Sequence, residues 1–217
     1  TAFSPPSRVP LRDHVFAALS DIILRGEFGP GDRIKESVLA THLGTSRTPM
    51  REALVRLVDC GLLEFEQGYG FRVAPMSAEE LADTYDVLTV LEAHAFEQCK
   101  PCSREHAGEL HALIADMKSK ASDPVDALRI DAEWHKALLK SCRNTKLHAT
   151  LDNLRRITVR YEAAYFKNKD WADRSFREHE DITRAFEAGE RDVALNKLKQ
   201  HWIRSGNDLR AGLFGAE

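Results

Sequence analysis

The strongest constraint in this sequence is a change of texture between Ala74 and Ser77. Before it, glycine and proline break the chain into short segments, some helical and some strand-like. After it, only helical periodicities run to the end. Strand signals confined to one end predict two units of different architecture rather than one interleaved sheet. The expected organisation is a mostly α protein with an N-terminal domain over residues 1–76 and an all-helical bundle over 77–217. A length of 217 residues suits two such units.

In the first part, Ser4-Pro5-Pro6 reads as a loose arm. Leu11, Val15, Ala18, Leu19, Ile22 and Ile23 form a helical stripe that Gly26 stops. A short second helix spans Ser37–Leu43 and ends at Gly44. Thr45-Ser46 caps a third, from Arg47 to Cys60, with Pro49 in its first turn. Residues 62–66 and 71–74 then read as two strands, joined by Gln67-Gly68-Tyr69-Gly70. Three helices followed by a hairpin is the order of a winged helix-turn-helix, whose third helix enters the DNA major groove while the hairpin touches flanking backbone or minor groove. In the second part, Ser77 with Glu80 makes a capping box. Helices follow at about 78–100, 103–121, 124–142, 146–167, 171–188 and 191–213.

Composition neither demands nor excludes a nucleic-acid partner. Hydrophobic residues make up 43% and charged residues 30%, as in an ordinary soluble protein. Net charge is −3, and residues 1–76 hold nine basic and nine acidic side chains. DNA binding must therefore come from where arginines are placed, not from bulk charge. No apolar run approaches the roughly 20 residues of a membrane span. The first ten residues lack a secretory layout, so no membrane partner and a cytoplasmic location are expected. The four cysteines are too sparse for a disulfide scaffold.

At helical spacing Met50, Leu54 and Leu57 face inward, while Thr48, Arg51, Glu52 and Val55 fall on the other side. Arg47 and Thr48 lie at the helix start, where backbone N–H groups favour phosphate. Arginine reads guanine with two parallel hydrogen bonds. A solvated arginine face on a plain three-helix domain would show the same periodicity. The combination is more specific: Ser46-Arg47-Thr48-Pro49-Met50-Arg51-Glu52-Ala53-Leu54, then Leu57, then Gly61-Leu62-Leu63, resembles the recognition helix of the GntR family of regulators. Gly31-Asp32-Arg33-Ile34-Lys35-Glu36 and Leu39-Ala40-Thr41-His42-Leu43-Gly44 resemble the segment before it. The resemblance implies a double-stranded DNA operator, contacts from Ser46, Arg47, Thr48 and Arg51, and Gly68 at the minor groove. Some members carry arginine where this chain has Ser37, which can still reach a phosphate.

In the helical half, Asp131 and His135 are one turn apart on one face, and His179 and His201 lie on the last two helices. Three imidazoles and a carboxylate suit a divalent transition metal, zinc or nickel, with a position left for a ligand. A charged surface around His179 and a satisfied core histidine at His201 are the plain alternatives. His14, His42, His106, His111 and His148 read as surface or cap residues. Cys99-Lys100-Pro101-Cys102, near His94 and His106, is a weak zinc-like spacing.

This half, too, resembles a known group, the FCD (FadR-like) branch of the GntR family. The matching residues are Asp131-Ala132-Glu133-Trp134-His135-Lys136-Ala137-Leu138, Glu178-His179-Glu180-Asp181-Ile182, and His201 after Ala194 and Leu198. The resemblance implies that Asp131, His135, His179 and His201 hold the metal. Many members place an arginine four residues before a glutamate of the first sensing helix, to grip an organic-acid effector. Here that glutamate is Glu92, and the position holds Leu88. Arg160 or Arg156 is the expected substitute, the alternatives being a less acidic effector or the metal alone; Tyr161, Tyr165, Phe166 and Trp171 fit a pocket wall, but such residues more often form core.

The function expected is a ligand-responsive, homodimeric, sequence-specific transcription regulator and not an enzyme. A metal-dependent enzyme or a pure metal sensor on a helical bundle is the alternative. Glu133, offset from both ligands of its helix, is a poor general base.

Overall fold

The computed structural model describes residues 11–215, so the Ser4-Pro5-Pro6 arm lies outside the described residues. The chain forms two compact units that divide after Pro75.

In the first unit, α1 (Leu11–Arg25) and α2 (Glu36–His42) pack on α3 (Arg47–Asp59). The α1 stripe buries Val15, Leu19 and Ile23, and α3 buries Met50, Ala53, Leu54 and Leu57 completely. Gly44, in the left-handed region at φ 59°, makes the turn between α2 and α3. Ser46 occupies the N-cap position of α3, but its side chain makes no capping bond. Strands β2 (Leu63–Glu66) and β3 (Gly70–Val73) form the hairpin, with Leu63 opposite Val73 and Glu66 opposite Gly70. A third strand, β1 (Arg33–Ile34), escaped the sequence reading. It pairs antiparallel with β3, giving the order β1-β3-β2. At two residues it has no period to detect.

The second unit is built from six helices among the described residues: α4 (Ala78–Glu97), α5 (Arg104–Ser119), α6 (Pro124–Leu138), α7 (Thr145–Lys167), α8 (Lys169–Glu187) and α9 (Arg191–Phe214). Five of the six starts are set by side-chain caps, that of α9 being the exception. Ser77, Ser103, Asp123, Asn144 and Asn168 each accept a backbone N–H of the turn they open. At Ser77 only half of the expected capping box forms. The Ser77 hydroxyl accepts from the Glu80 N–H at 3.0 Å, but the Ser77 N–H donates to the Tyr161 hydroxyl at 3.1 Å. The Glu80 carboxylate turns instead to Arg160 and Tyr161. Helices α4, α7 and α8 all pack on α9, while α6 packs on α5 and α7.

Candidate functional site

Each metal-site candidate is fixed by its own helix. Asp131 and His135 project one turn apart from α6, His179 from α8 and His201 from α9. All four are buried, at 6%, 1%, 0% and 4% exposure. The ligand nitrogens of His135, His179 and His201 lie within 4.8 Å of one another, the one such grouping among the described residues. The Asp131 carboxylate is 3.3 Å from His179 Nε2 and 3.8 Å from His135 Nε2.

Hydrogen bonds settle which nitrogen of each ring is free. His135 Nδ1 meets Glu92 Oε2 at 3.1 Å, His179 Nδ1 meets the Ser175 carbonyl at 2.8 Å, and His201 Nδ1 meets Glu178 Oε2 at 2.8 Å. Carbonyls and carboxylates only accept, so each Nδ1 donates its proton and each Nε2 keeps a lone pair. His135 Nε2 and His179 Nε2 then face each other at 3.4 Å. Two lone pairs at that distance repel unless a cation is shared between them, and the spacing is compatible with bonds of ~2.0–2.1 Å to one ion. Outward donation to carboxylates and carbonyls is also how metal-binding histidines are held in place.

Electrostatics favour neutral ligands. Burial pushes all three imidazoles below their usual range, His201 to about 4. The other histidines add to the depression at His179 and His135, while Glu92 opposes it at His135 and His201. Burial also raises the Asp131 carboxyl well above the usual carboxylate range, helped by Glu162 and Glu92. The residues present therefore fit a divalent ion: three unprotonated nitrogens and one oxygen, in a dry site.

Two residues of this site were not singled out for a role from sequence. Glu92 on α4 is fully buried and bonds three groups: Arg155, His135, and Trp202 Nε1 at 2.9 Å. Burial alone would raise its carboxyl, but His135 and Arg155 outweigh that and hold it at about 2. The available signal was a charge standing on the buried α4 stripe of Leu81, Tyr85, Leu88 and Phe96. Arg155, on α7, is the cation that answers it.

A small cavity adjoins the cluster, lined by Tyr85, Asp131, Glu162, Tyr165, Phe166, Ser175, His201, Trp202 and Ser205. Its free volume is about 10 Å³. Neither expected effector arginine lines it. Arg160 is held by Glu80, and Arg156 is exposed beside Asn153. Tyr165 and Phe166 do line it, whereas Trp171 packs on Tyr165 and Tyr161 bonds the start of α4. His106 departs from the surface reading: it is 4% exposed, bonds the Ala137 carbonyl and packs on Phe186. The cysteines are free; Cys99 and Cys102 bond backbone carbonyls.

In the first unit, Arg47, Thr48 and Arg51 are exposed on α3, with Ser46 before it and Ser37 on α2. Arg51 lies 3.3 Å from Glu36 and over the Phe71 ring. Gly68, at φ 84°, is exposed at the tip of the hairpin.

Comparison with known proteins decides what these surfaces belong to. Residues 11–73 match the family model described as "Bacterial regulatory proteins, gntR family", and residues 83–204 match the FCD domain. The chain belongs to the GntR family. It is a DNA-binding transcription regulator with an FCD effector domain. It is 32% identical to the Nta operon transcriptional regulator of Aminobacter aminovorans, over 72% of this chain and 74% of that one. It is 26% identical to the transcriptional repressor GlaR of Escherichia coli K12, over 85% and 89%. The fold matches the solved structure of E. coli McbR/YncC with a TM-score of 0.71 at 20% identity, over 95% of this chain and all of that one. The GntR relatives are regulators by name, not enzymes, and Glu133 is exposed, away from the cluster. Among the described residues no helix is long and apolar enough to cross a membrane. Leu88, where the GntR resemblance would place an effector arginine, is wholly buried.

Proposed function

We propose that this regulator holds a divalent transition ion, zinc or nickel, on Asp131, His135, His179 and His201, and uses it to read a small-molecule effector. Residues 77–217 serve as the effector and dimerisation domain, and residues 1–76 as the DNA-binding domain. As a homodimer the protein presents two copies of α3 to successive major grooves of a palindromic operator. Arg47, Thr48 and Arg51 contact the groove, Ser37 and Ser46 the backbone, and Gly68 the minor groove. The observation that carries the metal reading is the convergence of three buried imidazoles with ligand nitrogens within 4.8 Å, each ring hydrogen-bonded through Nδ1 to an acceptor.

A bound ion supplies positive charge and an open coordination position for an effector atom. Glu92, Glu178 and the Ser175 carbonyl orient the rings, while Trp134 and Trp202 pack against them and exclude water. Effector binding changes operator affinity only if it favours one of two arrangements of the dimer. The test is elemental analysis of the purified protein, then operator titration with metal and with candidate metabolites. One ion per chain and a metabolite-dependent shift in operator affinity are expected; a metal-free protein with full operator response would overturn the reading. The cavity beside the cluster, about 10 Å³, holds no more than one water. That favours, as a second reading, a pure metal sensor, for which metal alone shifts operator affinity and no metabolite adds to it.

A further inference from the structure

The small sheet of the first unit sorts its side chains onto two faces. Ile34, Phe71 and Val73 are buried on one, and Arg51 of α3 stands over the Phe71 ring. On the other face Arg33 of β1 lies opposite Arg72 of β3, which lies opposite Glu64 of β2. Arg72 is taken up by the glutamates of β2, at 2.8 Å from Glu64 and 4.0 Å from Glu66. Arg33 is exposed and has no carboxylate partner among the described residues.

Arg33 has an aromatic partner instead. Its guanidinium carbon sits 5.0 Å from the centre of the Tyr69 ring. Tyr69 follows Gly68 at the tip of the hairpin and is 61% exposed. Core packing does not account for a large ring there, whereas holding a cation does. A guanidinium stacked on a ring keeps the N–H groups of its rim free to donate, with the long side chain already ordered. Lys35, exposed two residues on, adds a second positive charge to the β1 edge. The β2 edge carries the glutamates, so the sheet is positive at one side and negative at the other.

We infer that Arg33, held in place by the Tyr69 ring, grips a DNA phosphate on the far side of the minor groove from α3. This rests on the reading that puts Gly68 at the minor groove. That groove is about 6 Å wide and bounded by a phosphate strand on each side. With α3 in the neighbouring major groove, the Phe71 face of the hairpin looks to the strand that the two grooves share. The opposite face looks to the other strand, and Arg33 is its cation left without a carboxylate. Such a contact adds affinity and fixes the register of the wing for any sequence beneath it.

The test uses the full chain and a duplex that it selects from a random-sequence pool, beside a second duplex with the base pairs under the wing exchanged. Fluorescence anisotropy follows binding across a salt series, after melting temperatures have been measured. Arg33→Gln is expected to lower the slope of log affinity against log salt by about 0.9 on both duplexes, as one lost phosphate contact does. Tyr69→Ala should show a smaller loss in the same direction, and Tyr69→Phe, which keeps the ring, should match wild type. An unchanged slope in Arg33→Gln overturns the inference. A loss that depends on the exchanged base pairs overturns it too, as base reading. Tyr69→Phe as weak as Tyr69→Ala overturns the placing role of the ring. Hydroxyl-radical footprinting of the wild type separates the failures: without minor-groove protection beside the α3 contact, the placement of Gly68 falls and Arg33 with it. Protection with an unchanged slope sinks the Arg33 contact alone. Arg33→Met keeps the stem against Tyr69 and decides the matter if the Gln variant melts early.

Discussion

The Glu92 carboxylate on α4 accepts the Nδ1 proton of His135 on α6 at 3.1 Å, tying the first sensing helix to the candidate metal centre. That bond fixes both the tautomer and the plane of the ring. Glu92→Gln keeps the shape but supplies a weaker, neutral acceptor. Metal affinity is expected to fall about 10- to 100-fold, as for other losses behind a ligand histidine. Competition with a chromophoric chelator measures it. Glu92→Ala should be worse, because Arg155 is left as a buried charge without its partner. The cost is about 3–5 kcal/mol, read in urea unfolding. An unchanged metal affinity in Glu92→Gln would remove this glutamate from the site's support.

Removing the metal should destabilise the protein itself. Without an ion, His135 and His179 present lone pairs to each other at 3.4 Å. An ion that binds only the folded state adds about 2.7 kcal/mol when present at 100 times its dissociation constant. Chelator should therefore lower the melting temperature, and zinc or nickel should restore it. His179→Ala should melt at the same temperature with and without chelator. A chelator effect that survives in that variant would place the ion elsewhere.

The fold was legible largely because this chain marks its own boundaries. Gly26, Gly44, Gly61 and Gly189 stop helices where the backbone turns left-handed, and Ser103, Asn144 and Asn168 open them with side-chain caps. The ligand set was legible in part: Asp131 and His135 share a face by periodicity alone, but no spacing rule joins them to His179 and His201. The FCD resemblance named the four together, and the tertiary packing is what brings their side chains to one place. The same limit explains Arg160. Its helix was clear from sequence, yet its partner Glu80 lies on a distant segment, and the ion pair turns it away from the role expected of it. His106 stands near a helix start, a surface signature, but the Ala137 carbonyl draws it inside. Glu92 and Arg155 are each ordinary charges on amphipathic helices, and only their meeting identifies them.

Gly68 tests the hairpin without touching either helix of the reading head. Its φ of 84° is open to glycine and costs other residues about 1–2 kcal/mol. Nothing stands within 4 Å of where a Cβ would sit, so the cost of Gly68→Ala is backbone strain and not a clash. The first unit should melt about 4–8 °C lower per kcal/mol lost, given its size. Operator affinity should fall further than stability alone explains if the tip approaches the minor groove. Equal losses in stability and affinity would confine Gly68 to a turn-forming role.

Arg51 and Glu36 set up the sharpest test of the DNA face. Arg51 is 59% exposed in its side chain, so its 3.3 Å pair with Glu36 is a weak surface contact that an operator can displace. If Arg51 reads a base, Arg51→Ala should cost about 1–3 kcal/mol on the operator and little on scrambled DNA. Arg51→Lys should rescue little, because a point charge cannot make the two parallel bonds of a guanidinium. Glu36→Gln should act differently: it removes a negative charge from the same surface and frees its partner, so affinity should rise for both DNAs alike. Fluorescence anisotropy on an operator duplex and its scrambled counterpart, at several salt concentrations, separates these outcomes. An equal loss on both duplexes in Arg51→Ala, with a shallower salt slope, would assign Arg51 to phosphate and leave base reading to Arg47 and Thr48.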